Sequence, residues 1–257
     1  MDHLLAENKF RAEAATAPGK DLLDDPIFLQ RPEQQLQPGT YSYKATQSFH
    51  SPLEKKHNLV IKRFFDISFS IVLMLCLLSW MIPLFAILIK LDSRGPVFFR
   101  QRRNRNGGSL FTCIKFRTMI VNEEADLVAA CRNDARITAV GKFLRHYHLD
   151  ELPQLLNVLC GHMSVIGPRP YMVAENIYYE NLLQSYSYRH SVKPGITGLA
   201  QSFGYVGSYH DLQKVKERVD LDILYIRKWS LQMDAKILYR TFMSLFGINF
   251  QDELKNL

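Results

Sequence analysis

Cysteine is scarce in this chain, and charge is missing from one long stretch of it. Four cysteines occur in 257 residues, at Cys76, Cys113, Cys131 and Cys160. They form no C-x-x-C pair and no Cys/His cluster, so neither a zinc site nor a disulfide framework is expected. Reduced thiols fit a cytosolic setting. No G-x-x-x-x-G-K-[ST] occurs, which removes the P-loop nucleotidases. No internal repeat is present. Residues 1–57 lack sustained apolar periodicity and contain the breakers Asp24-Asp25-Pro26, Arg31-Pro32 and Gln37-Pro38-Gly39-Thr40. They read as an irregular extension, with a short helix near Leu4–Ala14.

What is present begins with the uncharged stretch. Between Asp66 and Lys90 no residue carries a charge. About 20 apolar residues suffice to cross a bilayer core as a helix. The run lies well inside the chain and no small-residue cleavage site follows it, so it is not a signal peptide. Apolar character continues round its whole circumference, which argues against an ordinary amphipathic core helix. Lys55, Lys56, Lys62 and Arg63 precede it, and Arg94, Arg100, Arg102, Arg103 and Arg105 follow it. Positive charge marks the cytoplasmic side, and here both ends ask for it. Pro83 removes a helical hydrogen bond, and Ser79, four residues earlier, can satisfy a freed backbone group. The segment therefore reads as a re-entrant membrane helix of about 62–90 that breaks near Ser79–Pro83 and returns.

The chain is basic, with a net charge of +7. Such a balance suits nucleic acid, an anionic membrane surface or a phosphorylated substrate. Its basic residues flank a membrane segment rather than an aromatic-interleaved groove, so no nucleic-acid partner is expected. After the membrane segment, Val97–Gln101 and Leu110–Phe116 flank Asn106-Gly107, a strong hairpin signal. The hairpin carries an arginine cluster, followed by Lys115 and Arg117. These make either a basic face on lipid headgroups or a phosphate cradle.

Helices are predicted over Val121–Arg132, Val140–His146, Ile177–Tyr188 and His210–Lys228. Ile237–Phe250 fits an interfacial helix as well as core packing. In Gly167-Pro168-Arg169-Pro170 two prolines fix the backbone around Arg169. A planar guanidinium held that way suits bidentate phosphate contact.

One octapeptide, His148 to Leu155, gathers the candidate chemistry. Leu152, Leu155, Leu156 and Leu159 recur at i, i+3, i+4 and i+7, one apolar helical face. Pro153 fits the first turn, and Gly161 is a stop signal. Asp150 and Glu151 then sit at the positive end of the helix dipole, where a phosphate can also bind. Acidic residues are favoured in the first turn of any helix, so alone the pair marks a helix start as readily as a site. Set beside a membrane segment and rigid arginines, it points to an anionic substrate at a membrane surface. Carboxylates serve as nucleophiles in phosphoryl chemistry. One or two carboxylates plus a phosphate typify Mg²⁺ sites.

From Lys62 to about Phe250 the chain resembles the bacterial sugar transferases of the monotopic phosphoglycosyl transferase superfamily, in their small form. The resemblance is carried by Lys62-Arg63-Phe64-Phe65-Asp66, Gly95-Pro96-Val97-Phe98-Phe99-Arg100-Gln101, Lys115-Phe116-Arg117-Thr118-Met119 and Arg136-Ile137-Thr138. It continues in Leu149–Leu159, Gly167-Pro168-Arg169-Pro170 and Pro194-Gly195-Ile196-Thr197-Gly198. It implies transfer of a phosphosugar from a nucleotide sugar, usually a UDP-sugar, to polyprenyl (undecaprenyl) phosphate, the first membrane step of capsule, exopolysaccharide or glycoconjugate assembly. By the same resemblance Asp150 is the nucleophile, releasing UMP and holding the phosphosugar covalently in a ping-pong cycle. Glu151 completes the dyad, Arg145 and Arg169 contact phosphates, and Mg²⁺ is held at Asp150 and Glu151.

The expected fold is thus α+β and mainly helical, with a re-entrant membrane helix, a β-hairpin and surface helices at the membrane interface. Residues 58–257 form a membrane-associated catalytic domain facing the cytoplasm from the bacterial inner membrane. Membrane lipid and a second copy, as a homodimer, are further expected partners.

Three positions depart from the family's pattern. Ser79 is followed by Trp80, with proline only at Pro83, where the family has Ser-Pro. His148 stands where the family has Ser. Phe203-Gly204-Tyr205 replaces an Asn-Gly-Arg. Two other readings are kept: a catalytically silent scaffold of a glycan assembly complex, and an aspartyl-phosphate phosphatase built on Asp220-Leu221-Asp222.

Overall fold

In the computed structural model the described residues are 50–121, 134–206 and 211–256. The helices expected near Leu4–Ala14 and over Val121–Arg132 lie outside them, apart from Val121 itself. Elsewhere the chain is mainly helical with two small sheets.

The uncharged stretch forms one helical run from Lys56 to Asp92, long and apolar enough to cross a membrane. It comprises α1 (Lys56–Leu73), a π turn (Met74–Leu78) and α2 (Ser79–Asp92). The departure from α geometry falls at Met74–Leu78, ahead of the expected break at Ser79–Pro83, which lies within continuous helix. Proline there removes the N–H that would bond the Ser79 carbonyl. Just upstream, Ser79 Oγ donates to Leu75 O (2.7 Å) and Trp80 Nε1 to Cys76 O (2.9 Å). Side-chain donors of this kind satisfy backbone carbonyls where water is absent.

The run is seated on the rest of the molecule at both ends. In α1, Lys62 Nζ meets the buried Asp234 (2.9 Å). Asp66 accepts from Ser164 Oγ and Val165 N, both at 2.9 Å. Arg63 donates to Val158 O and Leu159 O, at 2.6 and 2.7 Å. The Lys62–Asp66 motif is therefore a mount. In α2, Met81, Phe85 and Ile89 bury one face against Phe116 and Leu144. The other faces stay open, with Phe64, Leu75 and Leu91 among the most exposed apolar residues.

The hairpin pairs β1 (Phe98–Asn104) with β2 (Leu110–Phe116), with Asn104 opposite Leu110. β1 runs on past Gln101, and Asn106-Gly107 lies in a longer loop closed by Arg105 N donating to Ser109 O (2.8 Å). Gly107 and Gly108, at φ 70° and 73°, supply the left-handed turn there.

Next come α3 (Ala139–His146), a 3₁₀ turn (Leu149–Glu151) and α4 (Gln154–Leu159), which ends with Gly161 at φ 80°. Thr138 Oγ1 caps α3 by accepting from Gly141 N (3.0 Å), and Asp92 Oδ2, at the end of α2, accepts from Val140 N (2.8 Å). Two orphan donors of the helix start are thereby satisfied. Asn157 ties α4 to β2 through Ile114 N and Thr112 O.

β3 (Ser164–Ile166) pairs in parallel with β4 (Gly195–Thr197), and α5 (Val173–Leu182) lies between them in sequence. Gly167 and Gly195 meet backbone to backbone: a Cβ on Gly195 would lie 2.1 Å from Gly167 N. Two of the matched motifs therefore need glycine for one shared contact.

The short α6 (Leu199–Ser202), α7 (Leu212–Lys228) and α8 (Leu231–Ser244) complete the body. α8 starts six residues before the predicted Ile237, capped by Ser230. The main core joins Val158, Met163, Ile166, Phe203, Tyr225 and Ile237. Leu53 is part of it, and Ser51 Oγ donates to Ile226 O (2.7 Å), so the chain enters the body ahead of residue 58.

Candidate active site

A cleft of about 1340 Å³ runs beside the 3₁₀ turn. Four elements bring groups to it. β2 presents Lys115. The last turn of α3 presents Arg145. The turn Leu149–Glu151 presents the two carboxylates. The proline-bounded loop after β3 presents Arg169.

His148 makes the junction between α3 and the turn. Its φ of 55° is the only left-handed value at a non-glycine among the described residues. Its N–H donates to Arg145 O (3.2 Å) and its carbonyl accepts from Glu151 N (3.4 Å). Strained backbone of this kind persists where the surroundings over-determine it, commonly at functional sites. The turn swings Asp150 and Glu151 inward, and α4 follows them through Pro153. The pair lies one short turn ahead of the α-helix rather than inside its first turn.

The two neighbouring carboxylates have opposite environments. Glu151 Oε1 accepts from Lys115 Nζ (2.6 Å) and Arg169 Nη2 (2.7 Å), and Oε2 accepts from Arg169 Nη1 (3.0 Å). Burial alone would push the Glu151 carboxyl up. The Arg169 guanidinium, the Lys115 ammonium and their hydrogen bonds outweigh it and hold the group well below the usual carboxylate range. Asp150 has no hydrogen bond among the described residues. Burial, then the adjacent Glu151 charge, pushes its carboxyl up, against the pull of Lys115, Arg145 and Arg169. Asp150 keeps 9% of its surface open, so it remains reachable from the cleft. One carboxylate is anchored by two cations, and the other stands unbonded at the cleft.

Arg145 is held by its Nε, which donates to Thr118 Oγ1 (2.8 Å). The loop carrying Arg169 is gripped from behind. Arg189 Nη2 donates to Arg169 O (2.7 Å) while its Nε pairs with Asp222 (2.7 Å). Arg103 Nη1 donates to Pro170 O (3.0 Å). Sequence reasoning missed these three supports. Thr118 sits inside a matched motif, which was a usable signal; Arg103 was read only as part of the basic flank of the apolar run, and nothing in the sequence singled out Arg189.

Arg117 lines the cleft but its guanidinium is engaged elsewhere. Nη1 donates to Arg94 O (2.6 Å), and Nη2 to Ser93 O (2.7 Å) and Ile89 O (3.3 Å). It closes the carboxyl end of α2, where a cation also meets the negative pole of the helix. Gly95 makes room for it: a Cβ there would lie 1.9 Å from Arg117 Nη1. Ser79 and Pro83 stay in the apolar run and are joined to the cleft through Leu77, Trp80 and Met81. Asp222 is buried against Arg189 and Asp220 is exposed on α7, so Asp220-Leu221-Asp222 does not assemble a second carboxylate site. Phe203 is core, and Tyr205 donates to Glu217 (2.9 Å).

No group of three or more metal-ligating side chains exists among the described residues. Glu151 has both oxygens engaged by cations, whereas Asp150 is free. Mg²⁺ commonly takes one or two carboxylates and completes its shell with substrate phosphates. The donor set fits an ion that arrives with a diphosphate and uses Asp150.

The bacterial sugar transferase family model matches residues 57–247. A UDP-glucose:undecaprenyl-phosphate glucose-1-phosphate transferase of Klebsiella pneumoniae is 48% identical over 199 residues, which is 77% of this chain and 42% of that protein. The protein of the same name from Caulobacter vibrioides is 44% identical over 185 residues, 72% of this chain and 69% of its own length. The exopolysaccharide production protein PSS of Rhizobium leguminosarum bv. phaseoli is 41% identical over 192 residues, covering 73% of this chain and 96% of that protein. The chain thus spans about two-fifths of the Klebsiella relative and nearly all of the Rhizobium one.

Proposed function

The chain belongs to the bacterial sugar transferase family, and on that footing we propose that it moves a phosphosugar from a UDP-sugar to undecaprenyl phosphate, as an early membrane step of polysaccharide synthesis. The observation that carries this is the asymmetry of the pair. Glu151 is saturated by Lys115 and Arg169, and Asp150 is left unbonded at the cleft.

In the first half-reaction an Asp150 carboxylate oxygen bonds to the β-phosphorus of the donor. The bond from that phosphorus to the bridging oxygen breaks, and UMP leaves with the electron pair. In the second, an oxygen of undecaprenyl phosphate attacks the same phosphorus, and the Asp150–phosphorus bond breaks. The free carboxylate returns and the lipid diphosphate-sugar is released. Arg145 and Arg169 face the phosphates, and Glu151 keeps Arg169 and Lys115 aimed at them. Preorganised cations of this kind stabilise developing charge without reorganising. Bound Mg²⁺, held by Asp150 and the donor's own oxygens, would offset the remaining negative charge.

The apolar end of the cleft, at Leu77, Trp80 and Met81, suits the prenyl chain of an acceptor arriving from the bilayer. The uncharged run enters and leaves on the cytoplasmic face of the inner membrane, as the positive charge at both of its flanks favours. Tyr239 and Phe242 of α8, with Phe246 just past its end, expose aromatic rings that suit the membrane interface.

The test supplies UDP-sugars, undecaprenyl phosphate and Mg²⁺ to the full chain in vesicles and measures UMP. UMP release is expected from wild type, with a loss of roughly 10³-fold or more in Asp150→Asn. No UMP from any nucleotide sugar, or unchanged turnover in Asp150→Asn, overturns the reading.

A further inference from the structure

The cleft continues past the carboxylates, and the chemistry of its walls changes there. One side of the pair is apolar, where Leu149 and Leu152 pack with Met81, Phe85 and Phe116. The other side adjoins the Arg169 loop, where Gly167 N donates to Thr197 O (2.8 Å) and Gly195 N to Pro168 O (2.9 Å). Residues from β4, α6 and α8 also line this cleft: Ile196, Thr197, Gln201, Thr241 and Ser244, with Val206 and Leu245 beside them. None of these is charged and none is aromatic.

Their polar groups are hydroxyls and one amide, and several are fixed. The Thr197 and Thr241 hydroxyls lie 2.7 Å apart, and Gln201 Nε2 donates to Ile196 O (3.0 Å). Ser244 Oγ donates to Thr241 O (2.7 Å). A hydroxyl has one donor and two acceptor positions, so each of these oxygens keeps capacity for a ligand. Thr241 and Ser244 share the α8 face of Asp234 and Ile237. Asp234 is locked by Lys62, Tyr225 and Trp229 at 2.9, 2.9 and 3.0 Å. The hydroxyls therefore stand on a helix that is clamped at its other end.

A neutral, non-aromatic, hydroxyl-bearing wall beside a cationic phosphate zone matches a hexose better than a planar base, which asks for a stacking face. We propose that this end of the cleft holds the sugar of the donor and that Thr241 and Ser244 determine which sugar is accepted. The inference rests on the reading of the chain as a phosphosugar transferase. A fixed neutral hydrogen-bonding wall discriminates between sugars, because a sugar lacking the matching hydroxyl forgoes a hydrogen bond there.

The experiment measures kcat/KM for UDP-glucose, UDP-galactose and UDP-N-acetylgalactosamine in wild type, Thr241→Val, Ser244→Ala and the conservative Thr241→Ser. Inhibition by UMP, which lacks a sugar, is measured alongside. One lost hydrogen bond corresponds to about ten-fold. Thr241→Val and Ser244→Ala are expected to lower kcat/KM for the preferred donor by about that factor and to change the order of preference. Thr241→Ser restores the order, and UMP inhibition is unchanged throughout. A parallel weakening of UMP inhibition places the nucleoside at this wall and overturns the inference. So does an unchanged order of preference in Ser244→Ala, whose exposed position leaves folding intact. Wild type that turns over while the variants match it defeats this inference alone; wild type that releases no UMP defeats the underlying reading as well.

Discussion

At the scale of single residues, the Asp150 carboxyl is pushed up by burial and by the Glu151 charge, while Lys115, Arg145 and Arg169 pull it down. The nucleophile must be ionised, so activity falls as pH drops through the Asp150 pKa. The acid limb of kcat/KM is therefore expected above the ordinary aspartate value of about 3.9. Lys115→Met removes one lowering charge and moves that limb further up, which a pH–rate profile in the two proteins reads directly. The same shift has a stability consequence. A carboxyl with a raised folded pKa binds its proton more tightly in the fold than in the unfolded chain. Stability is then lost as pH rises from the ordinary carboxylate value through the folded one. Asp150→Asn removes that penalty and is expected to raise Tm at pH 8 more than at pH 4. Lys115 and Arg169 were recognisable in the sequence because they stand in short, ordered motifs, whereas Arg145 lies between motifs and came only from the family resemblance. The left-handed turn at His148 was not, since a single φ depends on what the flanking elements demand. The split between Asp150 and Glu151 was equally hidden, because it arises from partners 36 and 18 residues away from Glu151.

At the scale of elements, the contrast is between Arg169 and Arg117. Arg117 was expected in a basic stretch, on lipid headgroups or in a phosphate cradle, and Arg169 in a proline-fixed loop as a phosphate ligand. A fixed loop presents Arg169 to the carboxylates, whereas Arg117 terminates α2 through three carbonyls. Arg117→Met is expected to cost about 1.5–3 kcal/mol of stability, the range for hydrogen bonds to a charged group. Affinity for UDP should be unchanged in it, whereas Arg169→Met should weaken UDP binding with less effect on Tm. Thermal denaturation and UDP titration of the two variants separate these roles. Elements with strong local signals were legible: the hairpin, α3 and α7 lie where periodicity and turn residues put them. The glycine crossing of Gly167 and Gly195 was not, because the two motifs are far apart in sequence and meet only once β3 and β4 pair. α8 began earlier than predicted because Ser230 supplies its cap, a stronger start signal than the apolar pattern further on.

At the scale of the whole molecule, the long apolar run is held to the body at Lys62 and Asp66 in α1 and along Met81, Phe85 and Ile89 in α2. The proposed re-entrant topology puts both ends on one side of the bilayer, as positive charge at both flanks favours. Single-cysteine labels at residue 57 and at the C-terminus are expected to react together with a membrane-impermeant reagent only after the cytoplasmic face is opened. Labels reacting from opposite faces overturn the re-entrant topology. A helix long and apolar enough to cross a membrane was legible at this scale from the uncharged stretch alone. The mounting of that stretch on Asp234 was not, since 172 residues separate Asp234 from Lys62.

Asp92 closes the apolar run and also caps α3, the helix whose last turn carries Arg145; Arg117 grips the same end of α2, and its neighbour Thr118 holds Arg145. Anyone trimming this protein for work in water should treat the last turns of the run as catalytic scaffold rather than as a disposable anchor. A truncation placed ahead of Met81 already removes Lys62, Arg63 and Asp66, which seat the run on Asp234, α4 and β3. One placed after it also takes away the bracket from which the candidate site hangs.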